Sequence, residues 1–114
     1  MSQKIINEIL SLIDQYKIIF KDEKDLQQKI EKILNSNNIE FQREHDLGDL
    51  GIVDFFKDGV AFEIKIKGQK KAIYRQCRRY LEHDSVKSLV LITSFAMGFP
   101  NEIEGKPCYL YRLN

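Results

Sequence analysis

Asp54, Glu63 and Lys65 are the residues of this chain whose types and spacing support chemistry. Along an extended segment side chains alternate faces, so Ala61, Glu63 and Lys65 point one way while Phe62, Ile64 and Ile66 point the other. Asp54 lies among Ile52, Val53, Phe55 and Phe56, where a carboxylate is costly without a partner or a metal. Lys57-Asp58-Gly59 reads as a hairpin turn, and that hairpin brings Asp54 to Glu63. Two neighbouring carboxylates repel, and the usual remedies are a shared proton or a divalent cation. Lys65 compensates part of the charge and can hold or deprotonate a water. Hard oxygen ligands favour Mg²⁺, with Mn²⁺ as substitute, over zinc, and such an ion binds phosphate oxygens and activates water.

The elements that must position these residues follow from periodicity. Ile5, Ile6, Ile9, Leu10 and Ile13 predict a helix over about 3–15. A second helix begins after Asp22, carries Leu26, Ile30, Ile33 and Leu34 on its apolar stripe, and stops at Asn35-Ser36-Asn37-Asn38. Three strands are expected over 39–46, 52–56 and 60–67, then a helix over 70–83 with Ile73, Cys77, Tyr80 and Leu81 inward. A buried strand follows over 88–93 and a last one over 108–113. The order α-α-β-β-β-α-β-β implies an α/β (α+β) fold, a mixed central sheet flanked by helices.

Length and composition fit one domain over 1–114: 43% of the 114 residues are hydrophobic and 31% charged. Cys77 and Cys108 lie far apart without ligand spacing, which supports neither a zinc site nor a disulfide scaffold. No apolar run suits a membrane span or a secretory signal, so the expected location is cytoplasmic. The net charge of +1 hides a division: residues 1–57 carry 8 Lys and Arg against 11 Asp and Glu, residues 58–114 carry 10 against 6. Between Ile64 and Tyr80 there are seven basic residues and no acidic one: Lys65, Lys67, Lys70, Lys71, Arg75, Arg78 and Arg79. Lys71, Arg75 and Arg79 repeat at i, i+4 on one helical face, a repulsive arrangement that a polyanion would neutralise.

Asp54, eight intervening residues and then Glu63-Ile64-Lys65 resemble the motif of the PD-(D/E)XK nuclease superfamily, with Val53 where that family often has proline. Gln76 and Tyr80 resemble the QxxxY motif of its RecB-like branch. A second match, Asp14 with Asp22-Glu23-Lys24, spans two helices and cannot make strand-to-strand geometry. The resemblance implies a restriction-endonuclease-like core over 22–93, with 1–20 as a helical extension and 94–114 as a C-terminal loop and strand. It implies a Mg²⁺-dependent deoxyribonuclease, an endonuclease rather than an exonuclease. Asp54, Glu63, the Ile64 backbone carbonyl and Glu23 would hold the metal, with Glu44 a second candidate for the additional carboxylate. Lys65 would position or activate water and Gln76 would support the site, while Lys67, Lys70, Lys71, Arg75, Arg79 and Tyr80 would contact DNA. A homodimer, joined through 18–20 or the 95–100 loop, is the expected route to cutting two strands, alone or within a larger nuclease or repair assembly. Two rival readings are a non-catalytic DNA-binding or assembly subunit on the same fold, and a small α/β protein whose carboxylates merely pair with basic residues.

Overall fold

The computed structural model describes residues 2–113; Met1 and Asn114, the ends of the expected domain, lie outside them. The elements are α1 (Ser2–Asp14), α2 (Glu23–Ser36), β1 (Gln42–Asp46), a 3-10 turn (Gly48–Leu50), β2 (Ile52–Lys57), β3 (Val60–Lys65), α3 (Lys70–Leu81), β4 (Ser88–Thr93), β5 (Glu102–Ile103) and β6 (Lys106–Arg112). They form an α+β fold around one mixed six-stranded sheet in the order β1-β2-β3-β4-β6-β5. The strands β1, β2 and β3 are antiparallel neighbours, whereas β3, β4 and β6 run parallel.

Each face of the sheet is covered. Ile6, Ile9 and Ile13 of α1 and Leu26, Ile30 and Leu34 of α2 pack on Phe55, Val60, Phe62, Ile64, Val90 and Ile92. On the opposite face Ile73, Cys77, Tyr80 and Leu81 of α3 pack on Val53, Ala61, Leu89 and Leu91. Burying each such Leu or Ile contributes about 1.5–3 kcal/mol, which fixes the sheet between its helices.

Local signals set the boundaries. The Asp22 side chain accepts the Asp25 N–H at 2.7 Å and caps α2. Asp58 and Gly59 both have positive φ (46° and 87°), as a two-residue type I′ turn requires, and this turn fixes the β2–β3 register. The first strand starts later than expected, because the Ile39 N–H is used by the Leu34 carbonyl at the end of α2. The last strand starts at Lys106 rather than 108, paired with the short β5, which the sequence reading lacked. Glu104 and Gly105, again both at positive φ, close that second hairpin.

Candidate active site

The site lies where β2 and β3 part. Their pairing runs Lys57↔Val60, Phe56↔Ala61 and Phe55↔Phe62, and there it stops. Beyond it Val53 packs toward α3 while Phe55 packs toward α1 and α2, so strict alternation is lost at Asp54. The two carboxylates occupy the gap and replace the missing ladder: Asp54 Oδ2 accepts the Ile64 N–H at 2.8 Å, and Glu63 Oε1 accepts the Asp54 N–H at 3.2 Å. Backbone donors at a strand divergence are orphans unless something accepts from them. Asp54 and Glu63 are therefore partners of the backbone as well as of each other.

Both carboxyl groups are held above their ordinary range. Burial raises Asp54, opposed by the Ile64 N–H and by Lys65. Glu63, 2% exposed, is pushed up to about 8 by burial and then by the Asp54 charge, with Lys65 opposing. Lys65 Nζ stands 3.6 Å from Glu63 Oε2 and is the cation nearest the pair. Carboxylates raised by burial, Asp54 also by the Glu23 charge and Glu63 also by the Asp54 charge, beside a single ammonium, form a site that a further positive charge would relieve.

Glu23, at the start of α2, reaches the far end of β3, where its Oε1 accepts the Ile66 N–H at 3.2 Å. It lies close enough to raise both Asp54 and Glu63. Among the described residues no group of three or more His, Cys, Asp and Glu side chains is near enough to hold a metal, so Glu23 does not complete a three-carboxylate cage. The donor set still fits Mg²⁺, which retains several waters and binds proteins through one or two carboxylates. Glu44 is exposed on β1 at φ 54°, within 3.6 Å of the Arg43 guanidinium, and is not gathered into the pair. His45 stacks on Phe56 with ring centroids 4.2 Å apart.

Tyr80 departs from its expected role in touching DNA. It is 1% exposed. Its hydroxyl donates to the Ile52 carbonyl at 2.9 Å and lies 3.5 Å from Glu63 Oε2, so it closes the same strand gap from the α3 side. Burial, then the Glu63 and Asp54 charges, push its phenol pKa up and keep it a donor. The ring explains Gly51: a Cβ there would lie 2.8 Å from Tyr80 Cε1, and φ is +115°.

Gln76, one turn before Tyr80 on α3, is half-buried and lines an open cleft of about 330 Å³ with Lys65, Lys67, Arg75 and Arg79. Lys70 and Lys71 are exposed at the start of the same helix. Among the described residues none of Lys67, Lys70, Lys71, Arg75 and Arg79 forms an ion pair; Arg78 does, with Glu104 at 3.3 Å. The basic face thus runs from the carboxylate gap along α3 without internal neutralisation.

Two residues were not legible beforehand. Arg43 of β1 donates to the Asp54 carbonyl at 3.1 Å and to Gln27 Oε1 at 2.8 Å, with its guanidinium 4.9 Å from the centre of the Phe55 ring. It ties α2 to β2 where β2 changes face. Gly51 is the other, and only the Tyr80 ring reveals the need for it. The 95–100 loop also differs from expectation, since Phe95, Met97 and Phe99 are partly buried against the α3-side core. Burial pushes the Cys77 and Cys108 thiols up to about 12 and about 11, away from nucleophilic use.

Comparison with protein-family models, curated proteins and solved structures finds no match. Among the described residues no helix is long and apolar enough to cross a membrane.

Proposed function

We propose that this chain is a metal-dependent DNA nuclease built on a restriction-endonuclease-like core, of PD-(D/E)XK type. The observation that carries this reading is the strand gap, in which a half-buried Asp54 meets the buried Glu63, with Lys65 Nζ 3.6 Å from Glu63 and an unneutralised basic helix beside them.

Asp54 and Glu63, with the Ile64 backbone carbonyl, are the groups that would hold Mg²⁺ or Mn²⁺, and Glu23 would add a further ligand if it released the Ile66 N–H. The ion supplies neutralisation of phosphate charge and acidifies water. The chain's own residues do the rest. Asp54 and Glu63 would fix the cation position because each is also bonded to backbone. The Lys65 ammonium donates toward the incoming water and the phosphate oxygens, adding positive charge where negative charge develops. Gln76 orients the same groups from the cleft wall. Lys67, Lys70, Lys71, Arg75 and Arg79 hold the phosphodiester backbone without reading sequence. A homodimer would place two such sites on the two strands of a duplex.

The test is incubation of the protein with Mg²⁺ or Mn²⁺ and a panel of linear, circular, single-stranded and four-way-junction DNA. Cleavage by the wild type that is lost in Glu63→Gln and Lys65→Ala supports the reading; undiminished cleavage by either variant removes it. A second reading, a non-catalytic DNA-binding subunit, is favoured by one observation: both oxygens of Glu63 already have donors or a cation from the chain itself. DNA retained at low salt with no cleavage of any substrate would select it.

A further inference from the structure

We propose that the groove between the α1–α2 connector and the outer side of α2 is a docking site for an acidic, amphipathic segment of a partner protein. The groove holds about 420 Å³, within the size range of ligand sites of about 300–1,000 Å³. Tyr16, Lys17, Ile18 and Ile19 form one wall, and Lys32 and Ile33 stand on the other. Ile19 is 73% exposed and Tyr16 is 44% exposed, so two of the most exposed large apolar side chains of the described residues meet in one place.

Charge decides the occupant. No carboxylate lines the groove, and three lysines do. Lys29 is tied to Asp25 at 3.2 Å and to the Ile19 carbonyl. Lys17 and Lys32, on opposite walls, have no ion pair among the described residues. A second copy docked groove to groove about a two-fold axis would set lysine against lysine. Nucleic acid would satisfy the lysines and leave Ile19 and Tyr16 uncovered, and a fatty acid would bring one carboxylate to two walls. A segment with large apolar side chains flanked by carboxylates satisfies both walls.

The groove lies on the α2 side of the sheet and the basic helix α3 on the other, so this proposal stands independently of the nuclease reading. The experiment is fluorescence anisotropy of the full chain with two labelled amphipathic peptides of Leu and Phe, one with Glu and one with Lys at every polar position. Saturable binding of the Glu peptide is expected, with the Lys peptide at least about tenfold weaker. Ile19→Ser and the double variant Lys17→Glu/Lys32→Glu should each weaken the Glu peptide about tenfold, and the double variant should gain the Lys peptide. These positions are exposed or on the rim, and unchanged thermal melts verify the fold. Absence of saturable binding, or equal binding by wild type and variants, overturns the proposal. So does concentration-dependent dimerisation abolished by Ile19→Ser, which assigns the groove to a second copy, or displacement of the peptide by oleate or a short DNA duplex.

Discussion

Asp54 and Glu63 are joined through the backbone: Glu63 Oε1 accepts the Asp54 N–H at 3.2 Å while Asp54 Oδ2 accepts the N–H of the residue after Glu63 at 2.8 Å. A carboxylate pair that replaces a strand ladder cannot drift apart without exposing orphan donors. This rigidity is what a cation site needs, and it gives each carboxylate a structural role beside the chemical one proposed for it.

The pair makes metal-free stability depend on pH. An acid whose folded pKa lies above its unfolded value holds its proton more firmly in the folded state. For Glu63 that contribution is full below about 4.5, the ordinary value, and is lost as pH rises through about 8. The melting temperature of metal-free protein should therefore fall between pH 5 and pH 9, with Asp54, Glu23, Lys65 and Tyr80 the facing groups. Glu63→Gln should flatten that fall, and Mn²⁺ at pH 8 should restore the wild type alone.

Closing the gap from the α3 side has a measurable worth. Tyr80→Phe leaves the Ile52 carbonyl without its donor and should cost about 1–3 kcal/mol in denaturant unfolding. Gly51→Ala should cost a similar amount, about 1–3 kcal/mol, from the positive φ and the contact with Tyr80 Cε1. The loss for Gly51→Ala should persist in the Tyr80→Phe background, because the ring remains.

Arg43 positions Asp54 without touching the gap itself. Arg43→Met keeps an apolar stem over Phe55 and loses the bonds to the Asp54 carbonyl and to Gln27. Mn²⁺ affinity should fall about 10–100-fold, the range seen when outer partners of ligands are removed. A lower melting temperature with unchanged Mn²⁺ affinity would make Arg43 structural only.

The basic face should reveal itself in salt dependence. Lys71→Ala, Arg75→Ala and Arg79→Ala should each reduce the slope of log affinity against log salt by about 0.9 for duplex DNA. Arg78→Ala should change it little, because Glu104 already engages Arg78.

Much of this was readable from residue types. The Asp22 cap, the Asp58-Gly59 turn and the apolar run Ser88–Thr93 act through local chemistry, and each element forms where that chemistry places it. The approach of Asp54 to Glu63 followed from the same turn, since its length sets the register of the hairpin that leads to them. What escaped was long-range. Nothing in the residue pattern marks Arg43 until α2 and Phe55 close around it. Tyr80 reads equally as a surface contact or as core until the Ile52 carbonyl appears beside its hydroxyl. A two-residue strand such as Glu102–Ile103 carries no period at all.

Calorimetric titration of Mn²⁺ into the metal-free protein and its Asp54→Asn variant tests the central claim most directly. The gap between β2 and β3, if it is a cation site, gives one saturable binding event in the wild type that is lost or weakened by at least about tenfold in Asp54→Asn. Absence of Mn²⁺ binding by the wild type, or binding that Asp54→Asn leaves unchanged, would contradict it.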